Sequence, residues 1–239
     1  MDVLLVQNLM NWLVLGSIYA LVALGFSLLF GVLNVIHFSH GDVAMVAPFV
    51  TLAMVQALAA SAGTAGALVL ASALAIVVVG LIGVLADWLV IRRFRSAPAM
   101  MALVATVALG TVIRELIRMV YPQGSNPKPF PRLIEARIML GELPVPLFSL
   151  FVIAVSVAMM AALFALMRHS PLGMRITAVA EDRATARLMA IRPGRIFAAT
   201  FFIASAVGAI GGLFFASYAG VVRFDFGIQL GLIGFSAAV

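Results

Sequence analysis

The stretch LMNWLVLGSIYALVALGFSLLFGVL (residues 9–33) carries no charged side chain, and none occurs anywhere between Asp2 and Asp42. A helix needs about 20 consecutive apolar residues to cross the hydrocarbon of a bilayer. No positive residue precedes the stretch, and it is far longer than the apolar core of a secretory signal. It therefore reads as a retained transmembrane helix. Comparable runs follow from Val43 to Ala60, Gly66 to Ile91, Ala99 to Val120, Leu147 to Met167 and Ile196 to Tyr218, and another begins near Gly227. Irregular backbone is not tolerated against lipid, so these runs predict an all-α, polytopic transmembrane helix bundle. The expectation is a single domain over residues 1–239, with six full spans and the start of a seventh. That seventh run is too short to cross, so the chain is expected to be truncated at its C-terminal end.

Composition agrees with this class. Of 239 residues, 64% are hydrophobic and 10% charged, and the mean hydropathy is +1.20, which excludes an ordinary soluble core. The net charge of +6 does not point to nucleic acid, because the arginines sit in loops beside apolar spans. There they act as orientation signals and contacts for lipid headgroups. The absence of cysteine excludes disulfides, thiol nucleophiles, iron–sulfur clusters and cysteine zinc sites.

Threading the spans alternately puts Arg92, Arg93 and Arg95 on one side with Arg168, Arg175, Arg183, Arg187, Arg192 and Arg195. The other side holds Arg118, Lys128, Arg132, Arg137 and Arg223, so nine basic residues face five. The positive-inside rule then makes residues 168–195 a cytosolic loop and places the N-terminus and residues 121–146 outside the cytoplasm. The 121–146 loop is rich in proline, and its apolar run Ile134 to Leu143 suits either a short hairpin or an irregular connection.

Polar residues near the spans have structural readings ready. His37 and His40 have the spacing of paired metal ligands, with Asp42 nearby, but no closed ligand set is visible. Ser39 and Asp42 have capping-box spacing, so the segment is expected to start the second span at the interface. Asp87, an acid inside the third span, has the placement of a proton relay but is expected to pair with Arg92 or Arg93, and Glu115 with its neighbours Arg114 and Arg118. As threaded, no acid lies at mid-depth, and none lies beside Pro48, the one residue placed to break the second span. Small residues at Gly16-xxx-Ala20 and Ala204-xxx-Gly208-xxx-Gly212 have helix-packing spacing.

Within the arginine-rich loop, residues 176–190 read as one helix. Ala180, Ala184, Leu188 and Ile191 form an apolar stripe, and Glu181, Asp182, Arg183 and Arg187 cover the rest. A stripe of small residues suits a protein groove better than a lipid surface. There is no GxxxxGK[ST] phosphate loop.

Two segments carry a resemblance. AVAEDRATARLMAIRPGRI (residues 178–196) is similar to the EAA-like cytoplasmic loop of ABC importer permeases of the branched-chain amino-acid class, the LivH type. GSIYALVALGFSLLFGV (residues 16–32) followed by IHFSHGD (residues 36–42) resembles that family's opening segment, including Gly16, Tyr19, Gly25, Gly31, His37, Phe38, His40, Gly41 and Asp42. His37 stands where the family often has Asn, and Ala190 where it commonly has Gly. The resemblance implies a permease of the bacterial inner membrane without its own ATPase site or cofactor. Its implied partners are a second related permease, two cytosolic ATPases that bind the ATP, and an extracytoplasmic substrate-binding protein. The implied cargo is branched-chain or other small neutral amino acids, with urea and short amides in the range handled by relatives. The loop around Ala180 to Ile191 would then be the coupling element. The rival reading is a secondary transporter or channel without ATPases, which needs mid-depth ionisable residues or broken helices.

Overall fold

The computed structural model describes residues 3–33, 37–95, 97–134, 136–140 and 143–238. Among the described residues six helices are long and apolar enough to cross a membrane. The first is α1 (Val3–Leu33), whose uncharged sequence is apolar all round, as a helix between lipid and protein requires. A long helical run, α2 (His40–Ala86), supplies the second and third candidate spans, His40–Leu58 and Gly66–Phe94. These halves double back on each other, because His40 lies against Gly208 while Gly83 lies against Ser205 on the same neighbouring helix. Pro48 does not break the run.

A π-helical turn over Asp87–Ile91 ends the third span and leads into the short α3 (Arg92–Phe94). The fourth span is α4 (Ala99–Val120). Beyond it, β1 (Lys128–Pro129), β2 (Arg137–Leu140) and β3 (Leu143–Pro146) precede the fifth span, α5 (Leu147–His169). Strands β2 and β3 form an antiparallel hairpin in which Ile138 faces Val145, a few residues further along than the expected run from Ile134. Residues 141 and 142, between the strands, lie outside the described residues. Two short helices, α6 (Pro171–Glu181) and α7 (Arg183–Leu188), come before the sixth span, α8 (Pro193–Ala219). Strand β4 (Val221–Val222) pairs with β1, and α9 (Phe226–Ala238) is the seventh apolar helix.

Helix α8 is the axis of the bundle. Thr200, Ala204, Gly208, Gly211 and Gly212 are buried along it, and the absence of bulk at the glycines lets α1 and α2 approach closely. Of the two small-residue motifs, the one in α8 makes this packing. Gly16 is exposed, with open space where a side chain would stand. Three apolar clusters fill the interior. One gathers Val43, Phe49, Val79 and Leu213; a second Leu29, Ile176, Phe197 and Phe201; a third Val14, Ile18, Phe148 and Phe214.

Candidate functional site

The described backbone resumes after α1 at residues 37–39, which are non-helical and lie inside the bundle rather than at its surface. Irregular backbone at membrane depth is tolerated when protein surrounds it. The Phe38 amide donates to Thr106 Oγ1 of α4 at 3.3 Å, and the His37 ring meets Phe201 edge to face. Helix α2 therefore starts deep, with His40 between Gly25 of α1 and Gly208 of α8. This overturns the expectation of interfacial histidines: His37 is 2% exposed and His40 0%.

The capping box does not form either. Ser39 makes no side-chain cap and instead has its Oγ 3.3 Å from His37 Nε2. Asp42 turns to α4, where Arg114 Nη1 donates to its Oδ2 at 2.6 Å. The carboxylate, 4% exposed, also abuts Gly110 and Gly227. Since Gly110 is central in α4 and Gly208, beside the neighbouring His40, is near the middle of α8, Asp42 stands near mid-depth. An interfacial start at Val43 predicts no acid at mid-depth; the enclosed backbone at residues 37–39 carries the start of α2, and Asp42 with it, into the bundle. Phe49, two turns on, already stacks on Tyr121 beyond the end of α4. Among the described residues no group of three His, Cys, Asp or Glu side chains is arranged to hold a metal ion.

The remaining residues of the opening motif divide in two. Gly25 and Gly41 are closely packed, the latter against Gly227 and Gly231, and Phe38 and Tyr19 stack on Phe235 and Phe215. Gly16 and Gly31 have nothing against them. A narrow crevice of about 10 Å³, room for about one water, is lined by Leu33, His37, Ile91, Arg95 and Thr106 among others, between this centre and the arginine-rich end.

At that end Asp87 pairs with Arg95, not with Arg92 or Arg93. The π-helical turn rotates the chain between them, leaving Arg92 and Arg93 exposed, and the turn after α3 brings Arg95 back. The Arg95 guanidinium also lies 3.7 Å from the centre of the Phe197 ring. Glu115 pairs with Arg118 alone, at 2.6 Å, since Arg114 is engaged by Asp42.

The arginine-rich loop departs from a single helix over residues 176–190. Ser170 accepts from the Gly173 amide at 3.0 Å and Pro171 takes the first helical position, so α6 starts earlier. At Asp182 the backbone is extended, and the carboxylate accepts from the Ala184 amide at 2.8 Å and from the Thr185 hydroxyl. A side chain that can satisfy the amides of a new first turn competes with continuation of the old helix. The expected stripe is thereby split. Ala180, Glu181, Ala184, Arg187 and Leu188 are exposed, Leu188 by 86%, while Ile191 turns inward and Arg183 is half-buried. Burial falls instead on Ile176, Val179 and Ala186, which pack with Ile196 and Phe197. Met189 and Ala190 complete an exposed tip, where Ala190 adopts a positive φ of 58°.

A six-span helical bundle with a buried, motif-built centre and a basic helical loop at one end is the architecture of a multi-pass helical membrane protein. Residues 8–239 match the family described as branched-chain amino acid transport system, permease component, and the chain belongs to that family. It is similar to the high-affinity branched-chain amino acid transport system permease protein LivH of Escherichia coli (strain K12). The two are 28% identical over 240 residues, covering 98% of this chain and 77% of that one. LivH of Salmonella typhimurium is 27% identical over 248 residues, with the same shares covered. The corresponding permease BraD of Pseudomonas aeruginosa is 26% identical over 240 residues, covering 98% of this chain and 78% of its own. No solved structure matches the chain.

Proposed function

We propose that this chain is the membrane-spanning subunit of an ATP-driven importer for branched-chain or other small neutral amino acids. In this reading it pairs with a second, related permease, receives cargo from an extracytoplasmic binding protein and is driven by two cytosolic ATPases, which bind the ATP. The chain has no ATPase site or cofactor of its own. The observation that carries the reading is the family match over nearly the whole length, together with relatives named as branched-chain amino acid permeases. Residues 168–195, with their excess of arginine, face the cytosol, and residues 121–146 face outside.

The α6–α7 loop suits mechanical coupling. Its exposed tip, Leu188 and Met189 beside Arg187, offers an apolar knob within a basic rim. Its inner side is fixed at two points: Ile176 and Val179 pack with residues of α8, and Arg183 donates to the Leu33 carbonyl of α1. A push on the tip reaches the two helices whose Gly25 and Gly208 grip His40. Closure of the ATPases would bias the bundle between its two openings by that route.

The test is uptake of labelled leucine by the complex purified from its native membrane. The expected result is co-purification of ATPases and uptake that requires ATP hydrolysis and persists when a protonophore collapses the proton gradient. Uptake abolished by the protonophore alone would favour a secondary transporter. Leu188→Glu should release the ATPases where Leu188→Met retains them, and equal retention by both would remove the loop from the coupling role.

A further inference from the structure

Of the four ion pairs among the described residues, Asp42–Arg114 and Asp87–Arg95 are similarly buried, and the first alone lies near the middle of membrane helices. A guanidinium and a carboxylate that use each other fully form two parallel N–H···O bonds. This pair is half-used on both sides. Arg114 gives Nη1 to Asp42 Oδ2 but spends Nη2 on Thr111 Oγ1 at 2.9 Å, while Asp42 Oδ1 is buried without a hydrogen-bond partner. Arg114 keeps 16% of its side chain exposed, beside the exposed Thr111 one turn earlier on α4. Intramembrane ionisable residues are costly, and they mark substrate or ion pathways by default.

Building on the amino-acid reading above, we propose that Asp42 and Arg114 form a mid-membrane station for the zwitterion of the transported amino acid. The substrate carboxylate takes the place of Asp42 on Arg114, and the substrate ammonium takes the place of Arg114 on Asp42. An α-amino acid carries its two charges close together, so it can insert into an opened ion pair and keep all four charges matched. That exchange avoids the penalty of leaving a buried charge unpaired, which breaking the pair alone would incur. Gly110 and Gly227 present only backbone to the carboxylate, so a small displacement of α4 or α9 would make room for the ammonium.

The experiment uses the complete importer in liposomes, with leucine-loaded binding protein and ATP. Asp42→Asn combined with Arg114→Gln removes both charges and leaves none unpaired, so a merely structural pair should tolerate it. The expected result is an assembled complex whose leucine uptake falls by roughly tenfold or more, on the scale of losing a buried charge contact. Uptake by the double variant at the parental rate would overturn the station. If the parent itself imports no leucine, the functional reading fails instead. A second measurement does not depend on the double variant folding. Thr111→Cys, at an exposed position in a cysteine-free chain, is labelled with a cationic thiosulfonate during turnover. Labelling should slow several-fold with leucine-loaded binding protein relative to empty binding protein, and equal rates would overturn the proposal.

Discussion

The guanidinium of Arg183 donates to the backbone carbonyl of Leu33 at 3.2 Å, joining the loop to the last residue of α1 across 150 positions of sequence. The last carbonyls of a helix lack partners within it, and a cation there also meets the negative end of the helix dipole. The same guanidinium lies 5.1 Å from the centre of the Phe197 ring at the start of α8. Arg183→Ala is expected to loosen α7 by about 1–2 kcal/mol, the worth of a charge-assisted hydrogen bond and a cation–π contact after discounting for solvent screening of a half-exposed side chain. Hydrogen exchange over residues 183–191 should speed up roughly tenfold, with α8 unchanged. Arg183→Lys should fall between, because an ammonium does not stack on the ring as a guanidinium does.

Asp182 makes α7 sensitive to acid. Its carboxyl is held below the usual carboxylate range, first by the Thr185 hydroxyl and then by the Ala184 and Thr185 amides. A depressed folded-state value means the cap contributes fully above the ordinary carboxylate range and is lost as pH falls through the lowered value. Protection of the α7 amides should therefore be flat near neutral pH and decline below about pH 4. Asp182→Asn should keep a capped helix and lose most of that decline.

Ala190→Gly is expected to stabilise the tip. An L-residue in the left-handed region costs about 1–2 kcal/mol, from which the extra freedom of glycine in the unfolded chain subtracts part. The net gain should be about 0.5–1 kcal/mol, read as slower proteolysis of the loop. Ala190→Val should go the other way, since a β-branched side chain tolerates a positive φ poorly.

Glycines in α1 should respond to substitution with opposite outcomes. A Cβ at Gly25 would stand 2.6 Å from His40 Nε2 and 2.7 Å from the Ala204 carbonyl oxygen, so Gly25→Ala must push apart packed groups. The cost should reach about 3 kcal/mol and appear as a lower midpoint for thermal unfolding in detergent. Gly16→Ala and Gly31→Ala meet nothing within 4 Å and should leave that midpoint unchanged or slightly raised.

The spans were legible because bilayer thickness demands long uncharged runs, and the six predicted runs each correspond to an apolar helix of the structure. Depth was less legible. Counting from an interfacial start put Asp42 at the edge of the membrane, and nothing local to residues 37–42 signals that non-helical backbone there is enclosed by α1, α4 and α8. Its partner Arg114 is 72 positions away, beyond any helical spacing. The break at Asp182 had a local signal, an Asp with Thr three residues later. The Ala180–Ala184–Leu188 periodicity masked it, because alanine fits a helix face whether that face is buried or not. The π-helical turn at Asp87–Ile91 leaves no mark in hydrophobicity, so the sequence points from Asp87 to Arg92 or Arg93 where the structure pairs it with Arg95.

The separation of Asp42 from Arg114 also bears on how the chain is made. Ribosomes add about 5–20 residues per second, so several seconds pass between synthesis of the acid and synthesis of its counter-ion. Through that interval the nascent α1–α2 hairpin holds a carboxylate whose exposure at the bilayer centre costs about 2.5–3.5 kcal/mol on insertion scales. Insertion of the second helix is thus provisional until the fourth emerges. Ribosome stalling before residue 114 should leave Asp42 in contact with the insertion machinery, and release should follow only when Arg114 enters the membrane.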